Sequence, residues 1–576
     1  MLYSLNRSRM LSCVLWLAVT AIAAPGCGGQ GNVTMGPNPD LILTQQESSD
    51  DANPAYPVKG VVLDSVTHQP VARALVDSHE GAVLTDNDGH FELDLPAGVV
   101  RIDVKRPGYG LRRRVSGHTV RVGPDMPSLT FDLVPEAVIT GQVTLSTSDA
   151  ADGIRVMAYR KRIINGHQQW MMEGTARTNS DGVFRLAGLA PGDYLIYTQP
   201  ARDSDESPNG RAAVYGYPAA YYPGVSDISA AGTLTVAAGQ HAEADFTLTR
   251  QEFYSVTVTI ANREAGGGMN LQVHDRSGHE MGFPVRWNSQ QGTAQVNVPS
   301  GSYFIEGWHR GESQLFGRVD FTVAGAPLTG LNMPLLPLHS IPVIVRKSFS
   351  ATNSGTGPEL AAYGGSSDNN PASAGLNISL LPADEFFGQM VAPGGLRPAG
   401  GANDGSSFEI ENVPPGRYWV EASPFEGYVS SITSGGVDLA SEPLAVGTGS
   451  TLPIEVTLRN DTGSITAQVV DSSAEEQSAS ASLGEQHEIY VYAIPLFASP
   501  GPVKLGAVVG SGQATLAGLA PGSYRVIAVD APQEIDFHTP QGLAKYAGMG
   551  ETTTVDSGGS ANVQLDVVHT GDTETE

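Results

Sequence analysis

The chain has 576 residues and a formal net charge of −27, with 60 acidic side chains against 33 basic ones. An acidic surface repels the phosphate backbone, so this balance argues against binding of DNA or RNA. Hydrophobic residues make up 40% of the chain, which is enough for several cores, and 68 residues are glycine. Short segments rich in valine and threonine alternate with turns and show no long helical periodicity, which is typical of all-β sandwiches.

The first segment is typical of an export signal. Arg7 and Arg9 precede an apolar run at 10–24 that is too short to span a bilayer as a helix. Small residues then lead to Cys27 in the sequence Ala-Pro-Gly-Cys, which resembles a bacterial lipobox. The resemblance implies cleavage before Cys27 and a lipid on this residue. An ordinary signal peptide and an uncleaved anchor are the alternatives.

The lipobox resemblance implies that residues 1–26 are a lipoprotein signal peptide. Residues 27–55 are then a flexible tether, because this segment is polar and lacks periodicity. The chain has two cysteines, Cys13 and Cys27, and Cys13 would be removed with the signal peptide. We therefore expect no disulfide and no cysteine-based metal site in the exported protein.

One sequence pattern recurs five times. It consists of a glycine-containing turn, a strand with alternating apolar residues, a Pro-Gly or similar turn, and a second strand that in most copies begins with an aromatic residue. The clearest copy is 178–194, where Gly182 is expected to adopt a positive φ, Asp181 to hydrogen-bond its own backbone and Tyr194 to enter the core. The second turns lie about 95–115 residues apart, which is a domain-sized spacing.

The repeat predicts an all-β chain: a tandem array of about five β-sandwich domains after the signal peptide and tether. The predicted segments are sandwich one at 56–135, sandwich two at 136–250, sandwich three at 251–337, sandwich four at 338–459 with a disordered insertion at 348–375, sandwich five at 460–568, and a disordered tail at 569–576. The linkers between them are very short, which favours domains in a row over a compact cluster.

Sandwich one carries the most specific motifs, V-K-G-V-V-L-D at 58–64 and T-D-N-D-G-H-F-E-L at 85–93. With the later P-A-G and G-Y, these resemble a carboxypeptidase regulatory-like domain. The resemblance implies a transthyretin-like, non-catalytic sandwich that belongs among the carbohydrate-binding-like folds. Sandwich two matches well, whereas in the other three the resemblance rests on the strand and turn pattern.

Motifs for catalysis and metal binding are weak. The chain has no H-E-x-x-H and no G-x-S-x-G. His309 and Glu312 have the spacing of two zinc ligands, but no helical pattern surrounds them, so we interpret them as a polar strand end. Residues 86–89 resemble half a calcium loop, and we interpret them as a hairpin turn. We therefore predict no catalytic residues, no metal site and no cofactor.

The densest aromatic group consists of Tyr215, Tyr217, Tyr221 and Tyr222. Tyrosine offers an apolar face to a sugar ring and a hydroxyl to its polar edge, so this group is a possible ligand platform. The other interpretation, which we favour, is a loop whose tyrosines pack on the sandwich.

Together these features predict a non-enzymatic, lipid-anchored modular protein of the cell envelope. It would be exported, anchored at the bacterial outer membrane on the periplasmic face or the cell surface, and would present its sandwiches for carbohydrate or protein binding. The expected partners are the membrane, through the N-terminal lipid, and a polysaccharide or an envelope protein. The alternative is a structural spacer without a small ligand, and a metallopeptidase-associated or hydrolytic role is the least favoured.

Overall fold

The computed structural model describes residues 54–111, 118–124, 126–147, 149–203, 214–263, 268–310, 314–350, 375–386, 395–399, 407–470, 489–508 and 512–569. The predicted signal peptide, the tether with Cys27, most of the predicted insertion at 348–375, and the tail from residue 570 lie outside these ranges. Within them, no helix is long and apolar enough to cross a membrane. The fold class is confirmed: the chain is all-β and is built from several sandwiches.

Sandwich one is formed by two four-stranded sheets that enclose one apolar core. The first sheet contains β1 (Ala55–Asp64), β4 (His90–Pro96), β6 (Tyr109–Leu111) and β8 (Leu129–Pro135), in the order β4-β1-β8-β6. The second contains β2 (Leu75–Ser78), β3 (Gly81–Leu84), β5 (Gly98–Lys105) and β7 (His118–Val122), in the order β3-β2-β5-β7.

Sandwich two contains the longest hairpin of the chain. One sheet contains β10 (Arg155–Ile164), β11 (His167–Arg177), β13 (Gly192–Thr198), β16 (Ala220–Tyr221) and β17 (Thr233–Val236), in the order β11-β10-β13-β16 with β17 also on β13. The other contains β9 (Ala137–Leu145), β12 (Val183–Leu189), β18 (His241–Glu243) and β19 (Phe246–Leu248), with β12, β18 and β19 all paired to β9. A 3-10 turn covers Ile228–Ala230.

Sandwich three takes two short strands from the segment assigned to sandwich two by sequence. Its first sheet contains β14 (Ala201–Arg202), β15 (Val214–Tyr217), β20 (Gln251–Ala261), β22 (Arg286–Asn288), β23 (Thr293–Val298) and β26 (Leu328–Pro334), in the order β14-β15-β20-β23-β22 with β26 also on β20. Its second contains β21 (Gly268–Asp275), β24 (Gly301–Arg310), β25 (Gln314–Val323) and β27 (Leu336–Pro337), in that order.

Sandwiches four and five complete the described chain. Sandwich four pairs β28 (His339–Ser348), β30 (Leu396–Pro398), β31 (Ser407–Val413), β33 (Tyr428–Ser434), β34 (Val437–Asp438) and β36 (Ile454–Arg459) in one sheet, and β29 (Leu376–Pro382), β32 (Gly416–Pro424) and β35 (Leu444–Val446) in the other. Sandwich five contains β37 (Gly463–Val470), β38 (Tyr490–Pro495), β39 (Lys504–Ala507), β40 (Gln513–Leu519), β41 (Gly522–Val529), β42 (Glu551–Val555), β43 (Ser560–Val568) and the short helix α1 (Pro540–Ala544).

The five sandwiches share one pairing rule. In each, the first long strand pairs antiparallel with the strand that precedes the Pro-Gly or similar turn and parallel with a strand near the C-terminal end of the sandwich. The antiparallel pairs are β1–β4, β9–β12, β20–β23, β28–β31 and β37–β40, and the parallel pairs are β1–β8, β9–β18, β9–β19, β20–β26, β28–β36 and β37–β43. The sequence repeat is therefore also a repeat of strand topology.

The second turn of the repeat carries the chain from one sheet to the other, and a buried tyrosine fixes that crossing in four sandwiches. Its hydroxyl donates a hydrogen bond to the carbonyl oxygen four residues earlier, as in the tyrosine corner of other sandwiches. The pairs are Tyr194 to Ala190 (2.6 Å), Tyr303 to Pro299 (3.3 Å), Tyr418 to Pro414 (2.9 Å) and Tyr524 to Ala520 (2.7 Å). Sandwich one has Val100 at this position.

The predicted conformation of the first turn is confirmed, with one change in its hydrogen bonding. Gly182 has a φ of 74°. The turn is closed by Asn179, whose Oδ1 accepts from the N–H groups of Asp181 (3.0 Å) and Val183 (2.8 Å). Asp181 was expected from the sequence to supply such a bond, but the asparagine two residues earlier does so.

We predict that Tyr194→Phe destabilises sandwich two by about 1 kcal/mol, because one hydrogen bond is lost and the partly buried carbonyl oxygen of Ala190 loses this partner. Because sandwiches two to four share a buried core and should unfold as one larger unit, calorimetry would then show their transition lowered by about 2 °C. Tyr215→Phe is the matched control, because no hydrogen bond of the Tyr215 hydroxyl occurs within the described part of the chain. Equal transition temperatures for Tyr194→Phe and Tyr215→Phe would contradict a stabilising role of the Tyr194–Ala190 hydrogen bond.

Candidate interdomain site

The β10–β11 hairpin of sandwich two is the candidate functional element, because it contacts sandwiches three, four and five. Its two strands are joined by Asn165 and Gly166, which have φ values of 51° and 81°. Two consecutive residues with positive φ form the mirror-image turn that suits the twist of a tight hairpin. The row of sandwiches expected from the short linkers is therefore wrong for sandwiches two to five.

At the base of the hairpin, His279 of sandwich three joins three sandwiches. Its side chain is almost fully buried, with 2% of its surface exposed. Nδ1 lies 2.6 Å from the hydroxyl of Tyr221, and Nε2 lies 2.8 Å from the hydroxyl of Tyr159 on β10. The ring stacks on Phe386 of sandwich four at a centroid distance of 4.1 Å.

Burial, with a smaller effect from nearby His274, lowers the pKa of His279 to about 3. The ring is therefore neutral at physiological pH. A neutral imidazole carries one N–H and one lone pair, so it donates to one tyrosine hydroxyl and accepts from the other. Both nitrogen atoms are satisfied, and this arrangement stabilises a contact between sandwiches.

The middle of β11 hydrogen-bonds directly to sandwich four. The N–H of Trp170 donates to the carbonyl oxygen of Glu385 at 2.7 Å. Gln169, which is 2% exposed, donates through Nε2 to the carbonyl oxygens of Pro382 (2.6 Å) and Asp384 (3.3 Å). Backbone groups that would otherwise be left without partners at a strand edge are thus satisfied across the interface.

The tip of the hairpin inserts His167 between sandwiches four and five. Its ring stacks on Trp419 of sandwich four at 4.1 Å and on His538 of sandwich five at 4.3 Å, nearly parallel to both. Burial, reinforced by His538, lowers the pKa of His167 to about 3, although Asp536 acts in the opposite direction. A neutral ring is compatible with this stack, whereas two charged imidazoles at this separation would repel.

Polar contacts fix the tip on both sides. Arg162 donates to the carboxylate of Glu534 through Nε at 2.6 Å and also through Nη2. The N–H of Ile163 reaches the other oxygen of Glu534 at 3.1 Å. Gln168 donates to Asp536 at 2.7 Å. Because Arg162 donates twice to one oxygen of this partly buried carboxylate and the Ile163 N–H binds the other, sandwich five is held at a defined position.

The tip also lines a cleft with an empty volume of about 360 Å³. Asn165 from the hairpin and Glu421 from sandwich four face it, and the Asn165 amide donates to the Glu421 carboxylate. The rings of His167, Trp419 and His538 form one wall, and their stacking with one another occupies both faces of the His167 ring.

A group of buried ionisable side chains lies where sandwiches three and four meet. Burial raises the pKa of Glu306 to about 7, partly offset by the guanidinium of Arg318 at 3.5 Å. Burial also raises the pKa of Asp384 from sandwich four. His274 stacks on one side of Phe304, and the guanidinium of Arg318 lies 3.5 Å from the centroid of the same ring. Among the described residues, no group of three or more His, Cys, Asp or Glu side chains could hold a metal ion.

The structure does not bring the four predicted platform tyrosines to one open face. Tyr221 is 1% exposed and bonds to His279. Tyr217 and Tyr222 pack against the core of sandwich two. The ring of Tyr215, which is half-buried in β15, lies 4.1 Å from the guanidinium of Arg250.

Of the other sequence candidates, His309 is buried in β24, with 4% of its surface exposed. Its predicted zinc partner Glu312 and the predicted lipidation site Cys27 lie outside the described residues. Sequence reasoning missed His279 and His167. The Asn165-Gly166 pair between two strands was the available signal for the hairpin, but no local pattern indicated what the hairpin touches.

No protein-family model and no curated protein matches this chain. Among solved structures, the TIE protein of Bacillus anthracis matches 49% of this chain at 16% identity and a TM-score of 0.16, and the match spans 50% of that protein. The minor pilin of Streptococcus agalactiae matches 34% of this chain and 95% of its own length, at 14% identity and a TM-score of 0.19. A streptococcal ancillary pilin matches 48% of this chain and 99% of its own, at 10% identity and a TM-score of 0.17.

Likeness at these scores says nothing about function. The resemblance of sandwich one to a carboxypeptidase regulatory-like domain stays a prediction, as does the lipobox.

We predict that Gly166→Ala separates the hairpin tip from sandwich five. A Cβ at this position would lie 2.4 Å from the ring of Phe537 and 2.7 Å from that of His538, in addition to the strain of a φ of +81°. Hydrogen exchange read by mass spectrometry should then rise both in the hairpin tip and around residues 534–538. Gly153→Ala is the control, because Gly153 has a φ of +71° but open space around its Cβ position. Similar exchange in both variants would show that strain in the turn, and not the contact, is responsible.

The buried His279 predicts a loss of stability in acid. Its pKa is about 3 in the folded chain against an ordinary value of 6.5, so below pH 6.5 the unfolded state binds the proton first. The stabilisation that His279 contributes is present at neutral pH and is lost as the pH falls from 6.5 towards 3. Between pH 6.5 and pH 4.5 the loss from this residue is about 2–3 kcal/mol.

This dependence can be isolated by comparing urea unfolding at pH 7 and pH 4.5 in His279→Gln and in the exposed control His90→Gln. We expect His279→Gln to be less stable at pH 7, because two buried tyrosine hydroxyls lose a partner, and to lose less further stability in acid than the control. If His279→Gln and His90→Gln lose the same free energy of unfolding between pH 7 and pH 4.5, His279 is not the source of this pH dependence.

Proposed function

We propose that this chain is a non-enzymatic, lipid-anchored modular protein of the bacterial cell envelope that presents its sandwiches for carbohydrate or protein binding. The observation that carries the proposal is the use of its buried ionisable groups. His279, His167 and the Arg162–Glu534 pair are engaged in contacts between sandwiches. Such groups fix the positions of the sandwiches: His279 and the Arg162–Glu534 pair lie outside the cleft at the hairpin tip, and His167, which lines it, is stacked between Trp419 and His538.

The hairpin also favours presentation of several surfaces together. Sandwiches three, four and five each contact β10 or β11, so ligand-facing loops of different sandwiches are held at constant spacing. Fixed spacing allows several weak contacts to act with a high effective concentration on one extended partner. A polysaccharide or an envelope protein is such a partner. A spacer without a ligand is the alternative.

The lipid anchor rests on the lipobox resemblance at Cys27, and it gives a direct test. We predict that the full chain, expressed in a Gram-negative host, fractionates with membranes and incorporates labelled palmitate. Cys27→Ala should abolish both, whereas Cys13→Ala should retain both, because Cys13 lies in the segment removed on export. Palmitate labelling that persists in Cys27→Ala would overturn the anchor.

Binding is tested separately with the Cys27→Ala chain, purified without lipid. Glycan arrays and pull-downs from envelope extracts should each be carried out with this protein. Binding to at least one glycan or one envelope protein supports the presentation role, and binding to neither would favour the spacer. Hydrolysis of an arrayed glycan or of a captured protein would contradict the non-enzymatic assignment.

A further inference from the structure

A second cavity lies between sandwiches four and five and shares Ser499 and Gly501 with the cleft at the hairpin tip. Its empty volume is about 540 Å³, which includes the open space at its mouth. The two sandwiches meet beside it, where the N–H of Ala422 on β32 donates to the carbonyl oxygen of Pro500 at 3.0 Å. Cavities at contacts between domains are a frequent location of ligand sites.

The lining combines apolar walls with a few polar groups. Among the apolar residues are Pro424, Val429 and Leu519. Ser423, Ser499 and Tyr428 line the same cavity, and their hydroxyls supply hydrogen-bonding groups. The Tyr428 hydroxyl donates to Asp461 at 3.1 Å, which leaves its oxygen able to accept a further bond.

Lys504 is the cation of this cavity. It lies at the start of β39, an edge strand, and its Nζ is 3.9 Å from the position that a Cβ on Gly518 would occupy. Within the described part of the chain it forms no ion pair, whereas Lys59 pairs with Glu92 at 3.2 Å and Lys105 with Asp77 at 3.8 Å.

The surroundings of Lys504 favour an anion. Lys504 is exposed to solvent on one side, while desolvation by the walls of the cavity lowers its pKa, and no carboxylate offsets this effect. An ammonium group that loses water without gaining a counter-charge is stabilised by a bound anion.

We propose that this cavity binds a carboxylate-bearing sugar, a hexuronate residue of an acidic polysaccharide, with its carboxylate on Lys504. One ammonium matches one carboxylate, the three hydroxyls match the hydroxyls of a pyranose ring, and the proline, valine and leucine walls suit its C–H face. This inference rests on the carbohydrate arm of the proposed function. Repulsion from the acidic surface falls off over about 8 Å at physiological salt, so the short-range contact with Lys504 decides binding.

The test is calorimetric titration of the Cys27→Ala full chain at physiological salt with three probes of matched length: an oligogalacturonate, a neutral oligogalactoside and a glutamate-rich peptide. We expect the oligogalacturonate to bind at least about 10-fold more tightly than the other two. Lys504→Gln should weaken it by about 10-fold or more, Lys504→Arg should retain most of the affinity, and Lys545→Gln, at an exposed lysine of the same sandwich, should change nothing.

Three results would overturn the assignment. These are equal oligogalacturonate binding by wild type and Lys504→Gln, tighter binding of the acidic peptide than of the sugar, and no oligogalacturonate binding at all. Should a neutral glycan or an envelope protein bind wild type and Lys504→Gln equally, the presentation role stands while the uronate site falls. Circular dichroism of Lys504→Gln and Lys504→Arg separates a loss of folding from a loss of the charge.

Discussion

In sandwich two, the sheet that contains β10 and β13 is buried on both faces. The arrangement of sandwiches two to four depends on this constraint. Along β13, Tyr194 and Ile196 point into the core of sandwich two, while Leu195 and Tyr197 belong to the core of sandwich three. Phe386 of sandwich four is part of the latter core as well. A strand with two apolar faces needs cover on both sides, so sandwich two cannot bury its own surface without its neighbours. The extended hairpin follows from the same requirement, since β10 lies in this sheet.

The repeat and its local chemistry could be predicted from sequence because they depend on residues close to one another. A positive φ at Gly182 follows from turn composition, and entry of Tyr194 into the core follows from its place after the Pro-Gly turn. The hydroxyl bond from Tyr194 to Ala190 spans only four residues. Alternating burial along β4, β12 and β40 likewise reflects the two-residue period of a strand with one face in a core.

The junction could not be predicted because its contacts join distant segments. His279 meets Tyr159, which lies 120 residues earlier, and Arg162 meets Glu534, 372 residues later. No period or motif links such pairs. One signal was present: the unbroken apolar runs in β13 and β38 depart from strict alternation and indicate strands covered on both faces. The tyrosine-rich segment shows the same limit, since an aromatic cluster suits a ligand or a neighbouring sandwich equally, and Tyr221 contacts a histidine 58 residues away.

The charge states of the buried groups explain how an acidic chain can pack its sandwiches together. Burial lowers the pKa of His279 to about 3 and raises that of Glu306 to about 7. The stabilisation that His279 contributes is lost as the pH falls below 6.5, the pKa of histidine in the unfolded chain. The folded pKa of Glu306 lies above its unfolded value of 4.5, so the stabilisation that Glu306 contributes is lost as the pH rises through about 7. Between pH 4.5 and pH 6.5 the two slopes therefore oppose each other, and near pH 6 both side chains are largely uncharged. The neutral hydrogen bonds of His279 avoid the cost of burying a charge, whereas the charged Arg162–Glu534 pair lies where the interface is only partly buried.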